Sequence, residues 1–159
     1  MKTFPHHRHA ARPFAIYLLA VYLILLAVGG FMGAYHFLTD PTGASIGFSQ
    51  SFAKMLPVPN FILPGIFLLL AFGILPLVIA WIVLLDPIWA RMKPLEARTH
   101  EHWAWSAAMA LSLLLVGWMA FQLLLTGFYA PIQAVTSIWG LAMVGILLLP
   151  SVRRYFRTR

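Results

Sequence analysis

The 159-residue chain contains no cysteine. That excludes disulfide staples, thiolate metal sites, CxxC redox pairs and cysteine nucleophiles together. Charge is scarce as well: Asp, Glu, Lys and Arg make up 9% of residues, against 62% hydrophobic. A soluble domain carries roughly 25% charged residues, so most of this chain is solvated by something other than water. Acidic residues number only 4, and none lies inside a long apolar run. Proton pumps, voltage sensors and ion-coupled carriers keep ionisable groups at membrane depth, and the lack of them argues against those classes. HExxH and GxSxG motifs are missing. The histidines are not placed to hold a haem between helices. Nothing in the sequence therefore supports an enzyme.

What is present is four apolar runs, at about residues 14–37, 61–85, 103–128 and 132–149. Each has at least 18 residues with no Lys, Arg, Asp or Glu, the length and composition of a membrane-spanning helix. The first follows a basic start, but secretory signal cores span only about 7–15 residues, so it reads as a retained helix. Residues 1–13 then form a polar tail, 14–150 one helical membrane domain and 151–159 a basic tail. The expected fold is an all-α, polytopic up-down bundle of four helices.

The formal net charge is +7. In this context the basic residues read as orientation signals and anchors for anionic lipid headgroups, not as a nucleic-acid footprint. Lys2, Arg8, Arg12, Arg91, Lys93, Arg98, Arg153, Arg154, Arg157 and Arg159 all fall on one side of an up-down arrangement, and Lys54 alone on the other. Basic loops stay in the cytoplasm. Both tails are thus expected inside, with the 38–60 and 129–131 connections outside.

The longer outer connection opens with Asp40-Pro41-Thr42-Gly43, which suits a tight turn. Phe48, Phe52, Met55 and Leu56 then recur at helical spacing between polar residues, predicting a short amphipathic helix in the outer interface. Pro57 and Pro59 stop it, and Asn60 suits a cap for the second helix.

Helices in lipid associate by close packing and interhelical hydrogen bonds. Small residues at four-residue spacing mark candidate contacts: Gly29 and Gly33, overlapped by Gly30 and Ala34, then Ala108 and Ser112, then Gly140. Pro76 removes a helical hydrogen bond and predicts a kink in the second helix.

Uncharged polar residues gather toward the outer ends. Gln133, Thr136 and Ser137 share one face of the fourth helix, and Trp118, Gln122 and Tyr129 one face of the third. His36 and Asp40 close the outer end of the first. These eight residues are expected either to line an outward-opening polar pocket or to act as hydrogen-bonding glue between helices. A second constellation, His6, His7 and His9 with His100 and His102, is a weak alternative as a metal site. No cofactor is called for.

The glycine-rich first helix, the DPTG turn, Leu63-Pro64-Gly65 and Gly117-Trp118-x-x-x-Gln122 together resemble a group of small four-helix bacterial membrane proteins of uncharacterised function. The resemblance spans about Phe14 to Pro150. It implies a bacterial inner-membrane setting and no catalytic activity. The expected role is a non-enzymatic accessory or self-associating component, partnered by the lipid bilayer and by a second copy or another membrane protein. The alternative is binding or transport of a small neutral or amphipathic ligand in the outer pocket.

Overall fold

The computed structural model describes residues 13–47, 57, 59–85, 102–128 and 130–157. The described residues are helical, with turns and no strand. Four helices are long and apolar enough to cross a membrane: α1 (Phe14–Thr39), α2 (Ile62–Leu85), α3 (Trp103–Thr126) and α4 (Pro131–Leu148). A short fifth helix, α5 (Pro150–Arg157), follows α4. The expected amphipathic helix at Phe48–Leu56, Tyr129 and the histidines His6, His7, His9 and His100 lie outside the described residues.

Local chemistry sets the boundaries. α1 begins after Pro13 in an extended conformation and stops at Asp40, whose N–H still donates to the His36 carbonyl. Asp40 then organises the turn. Its carbonyl accepts from Gly43 N–H at 3.1 Å, and its carboxylate accepts from Thr42 Oγ1 at 2.6 Å and Ser45 N–H at 2.7 Å. Those hydrogen bonds, Thr42 first, hold the carboxyl down at about 2, because they favour the charged form. At the start of α2 the Asn60 side chain accepts from Ile62 N–H. Pro64 falls in the first turn, where a missing N–H breaks no helical bond. α3 ends at Gly127, whose φ of 66° and ψ of −167° suit only glycine. Pro131 opens α4 at the position where proline is pre-organised for a helix. Leu149 is extended ahead of Pro150, as a residue before proline prefers, and that break separates α4 from α5.

The turns ahead of Pro76 depart from α-helical geometry. The stretch Leu68–Ile74 is π-helical, and Leu75 N–H donates to Leu70 O, five residues back. Pro76 has no N–H for the Phe72 carbonyl, and its ring would crowd that carbonyl in an α-helix. Widening the turn relieves both problems, so the disruption is spread over seven residues.

α1 and α2 run antiparallel in close contact. A Cβ on Gly65 would meet Phe37 and Leu38, one on Gly33 would meet Leu68, and one on Gly30 would overlap the Phe72 backbone. α3 and α4 form a second antiparallel pair. Trp105 Nε1 donates to Leu147 O at 2.9 Å at one end, and Gln133 reaches Thr126 at the other. The two pairs join through a core concentrated at the end that carries Phe14, Leu85, Trp103 and Leu148. Ile16, Leu19, Leu23, Ile79, Val83, Ala108, Leu111, Met143 and Leu147 are buried there, and Val152, Tyr155 and Phe156 of α5 complete it. Toward the opposite, hairpin end the pairs separate. No residue of α3 beyond Met119 is buried, and Leu124, Phe128, Ile132 and Ile138 are among the most exposed apolar side chains. That exposure is the pattern of a surface solvated by lipid.

Candidate functional site: a cavity between the helix pairs

The separation of the two pairs leaves a partly open cavity of about 760 Å³, lined by all four long helices. Small-molecule pockets occupy roughly 300–1,000 Å³. α1 contributes Leu25, Gly29, Gly33 and Phe37. α2 contributes Pro64, Phe67 and Phe72, and α3 contributes Leu115, Trp118, Met119 and Gln122. α4 supplies Gln133, Val135, Thr136 and Trp139. Gly29 opens the α1 wall, since nothing lies within 4 Å of the position a Cβ would take there. The π-helical stretch contributes Leu68 and Phe72 to the α2 wall, and Phe67 lies just before it. Phe67 packs against Trp118 with the rings tilted by 40° and their centroids 4.5 Å apart. Trp139 stacks on Tyr22 at 4.4 Å and donates to the Tyr22 carbonyl at 3.3 Å.

Among the described residues the lining contains no Asp, Glu, Lys, Arg or His. A charged guest would find no counter-ion among them, and burying an unpaired charge costs several kcal/mol or more. The wall is mainly hydrocarbon and aromatic rather than the polar surface the sequence pattern suggested. Its polar groups differ sharply in how far they are already used. Gln133 is committed to the α3–α4 connection: Oε1 accepts from Ala130 N–H at 3.1 Å, and Nε2 donates to Thr126 Oγ1 and Gly127 O, both at 3.4 Å. Thr126 and Thr136 donate to carbonyls one turn back, those of Gln122 and Ile132. Gln122 is different. Its carboxamide is half-buried, faces the cavity and makes no hydrogen bond to a described residue. The Trp118 indole N–H, one turn earlier on the same face, is likewise unengaged among the described residues.

Of the eight residues the sequence singled out as a polar site, Trp118, Gln122, Gln133 and Thr136 line the cavity. His36 does not; it is half-buried against the edge of the Tyr35 ring. Asp40 is consumed by its turn, and Ser137 donates to the Gln133 carbonyl within α4. Among the packing residues, Gly33 meets Leu68, Gly140 lies against Val116 and Leu115, and Ser112 bonds the Ala108 carbonyl. The tightest helix contact falls at Gly30 rather than at its neighbour Gly29. His102 serves as the cap of α3, its Nδ1 accepting from Ala104 N–H at 3.2 Å. No cluster of three metal-ligating side chains occurs among the described residues.

The apolar lining residues Phe37, Phe67, Phe72, Met119 and Trp139 are not legible in sequence as a site, because apolar side chains on a spanning helix look the same whether they face lipid or a cavity. Trp139 alone carries a signal, since tryptophan favours the membrane interfaces and this one stands near the middle of α4. Comparison of the chain with protein-family models, curated proteins and solved structures finds no match.

Proposed function

We propose that this chain is a multi-pass membrane protein that binds a neutral amphipathic molecule in the cavity between its two helix pairs. The observation that carries the reading is the pairing of an apolar cavity, uncharged among its described lining residues, with a Gln122 carboxamide and Trp118 indole that are unengaged among the described residues. A hydrocarbon portion matches the aromatic wall, and an uncharged head with hydroxyl or ester oxygens matches the amide and the indole N–H. The cavity mouth then lies toward the outer leaflet. That orientation rests on the Lys and Arg count, with ten of the 11 basic residues in segments joined to the other end, and cytoplasmic loops carry such an excess. The resemblance to small bacterial membrane proteins supports an inner-membrane setting.

The test is a thermal-shift titration of the purified protein in an uncharged detergent, using a monoacylglycerol as probe and a fatty-acid anion for comparison. Stabilisation by the monoacylglycerol, reduced at least fivefold in potency by Gln122→Leu and removed by the cavity-filling Gly29→Phe, is the expected result. Equal stabilisation of all three proteins, or preference for the anion, refutes the reading.

A second reading, self-association or docking on another membrane protein, is favoured by Gly117 and Gly145, where no atom lies within 4 Å of the place a Cβ would take. Small outward-facing residues let helices approach closely. Crosslinking in native membranes separates the two: a dimer lost in Gly117→Leu and Gly145→Leu supports association, and an unchanged monomer removes it.

A further inference from the structure

The cavity is walled unevenly between its two helix pairs. On the α1–α4 side the wall closes at Tyr22 and Trp139, whose rings stack and which share a hydrogen bond. One helical turn nearer the hairpin end stand Leu25 and Val135, and one turn beyond those Gly29 and Ile132. Steps of three or four residues keep each set on the same helix face as Tyr22 or Trp139. All four residues line the cavity and all four are exposed, Leu25 by 50%, Val135 by 54% and Ile132 by 64%. A side chain that borders a cavity and is also exposed stands at its edge. The seam therefore opens one turn above the stack, as a slit between α1 and α4, and Gly29 sets no side chain across it. Trp139 lies eight residues into α4, so the slit is about 12 Å tall. The α2–α3 side is shorter and bulkier. Phe67 meets Trp118 five residues below the start of α2 at Ile62, which leaves about 8 Å, and the Phe121 ring stands 6.0 Å from that of Trp118.

We infer that the cavity is loaded sideways, through this slit, by a neutral lipid with one acyl chain taken from the surrounding leaflet. The inference rests on the reading that the cavity binds an amphipathic molecule. Depth supports the route. Gln122 and Trp118 lie four and eight residues from the end of α3, about 6 and 12 Å down, inside a leaflet whose hydrocarbon half measures about 15 Å. The slit spans the same depths. Deeper still the cavity is floored by Leu26, Phe72 and Leu115. A leaflet lipid already stands with its head outward and its acyl chain toward the midplane. Moving sideways brings its head oxygens level with Gln122 and its acyl chain to the apolar floor, with no change of orientation. Entry from water would instead expose the whole acyl chain on the way. Size supports the single chain. At roughly 30 Å³ for a water-sized group, a volume of about 760 Å³ takes about 25 such groups, one acyl chain with a glycerol head but not two acyl chains.

The protein has no cysteine, so a pair of introduced thiols can be bridged cleanly by a bifunctional maleimide. Leu25→Cys with Val135→Cys sets thiols on the two lips of the slit, and Leu63→Cys with Phe121→Cys does the same on the α2–α3 side. The full chain in phosphatidylcholine liposomes is given a monoacylglycerol with a photoreactive diazirine on its acyl chain. Label is counted by mass spectrometry on Met119, which lines the cavity and is only 5% exposed. Bridging the α1–α4 lips before loading should cut that label to the level of the cavity-filled Gly29→Phe, and bridging the other side should leave it unchanged. Bridging α1–α4 after loading should retain the ligand against an excess of empty liposomes, to which the unbridged protein loses it. Unchanged label, an equal fall from either bridge, or equally fast loss with and without the bridge overturns the slit. A diacylglycerol carrying the same diazirine should leave Met119 unlabelled; labelling equal to the monoacylglycerol overturns the single-chain assignment. The monoacylglycerol thermal shift in detergent separates the two readings. Its absence in the unsubstituted protein removes the guest and the slit together, whereas a shift with label indifferent to the bridge removes the slit alone. If the first thiol pair abolishes the shift before bridging, Gly29→Cys with Ile132→Cys takes its place.

Discussion

Alanine at Gly30 and alanine at Gly29 differ by one position in sequence and should have opposite effects. A Cβ at Gly30 would overlap both the carbonyl carbon and oxygen of Phe72, and would sit 2.6 Å from Gly73 N. All three atoms are backbone, so no side chain can swing away. Carbon atoms pack best at about 3.5–4.0 Å, which requires α1 and α2 to part by about 1 Å or more along a shared seam. Overfilling a packed interior costs roughly 1–3 kcal/mol, and here the seam also includes the π-helical stretch, so about 3 kcal/mol is the expected loss. At Gly29 nothing lies within 4 Å, and the helix gains about 1 kcal/mol from replacing glycine with alanine. Gly30→Ala makes the same propensity gain, so it cancels between the two, and the difference of about 3 kcal/mol corresponds to something on the order of 10 °C in unfolding temperature for a chain of this size. Thermal unfolding of both variants in the same detergent, followed by tryptophan fluorescence and by the monodisperse fraction on gel filtration, measures it. If Gly30→Ala proves as stable as Gly29→Ala, the close approach of α1 to the Phe72 carbonyl does not exist.

The two glutamines of the cavity should separate in the same way. Gln133→Leu removes three hydrogen bonds from the α3–α4 connection and should cost about 1–3 kcal/mol, whereas Gln122→Leu should leave stability within about 0.5 kcal/mol and alter only ligand binding; chemical unfolding of the two variants compares them. Trp139→Phe loses the bond to the Tyr22 carbonyl while keeping most of the ring stack, and should cost about 1 kcal/mol in the same assay. The Asp40 turn should be pH-dependent. Its carboxyl titrates at about 2 when folded against 3.8 for the free group, so its contribution is complete above about pH 4 and disappears as pH falls through about 2. Amide protection factors of Thr42 and Ser45, taken relative to the unstructured-peptide rate at each pH, should be elevated above about pH 4 and fall in that acid window; Asp40→Asn should abolish the pH dependence.

Much of the architecture is legible in residue order because lipid imposes a severe rule. Backbone polar groups in hydrocarbon must bond within their own segment, so an uncharged apolar run of sufficient length has few options besides a helix. The four observed helices accordingly differ from the apolar runs by one or two residues at their ends. The Asp40 turn and the break at Pro150 are readable for a related reason, since proline and aspartate act through their own covalent structure, whereas the break at Gly127 falls inside the expected 103–128 run. The short helix α5 carries a weaker signal. Val152, Tyr155 and Phe156 share a face by i, i+3, i+4 spacing, but four arginines nearby make the segment read as a solvated tail.

Depth, and what each face meets, came only with the tertiary structure. Glycine spacing on α1 marks two overlapping faces, yet whether Gly29 or Gly30 touches α2 depends on a rotation that a repeat of four cannot encode. The cavity depends on the two helix pairs joining at one end and diverging at the other, and an apolar face carries the same residues whether it meets protein, lipid or a ligand. Polar side chains were equally ambiguous: Gln122 and Gln133 look alike on their helices, and only the nearby Ala130 N–H and Gly127 carbonyl turn Gln133 into a structural brace, a role Gln122 lacks among the described residues. Residue order therefore determined that the chain forms four helices able to span a bilayer, because that is a property of each segment against its solvent. Folding decided which faces meet and where space remains, because those are relations between segments.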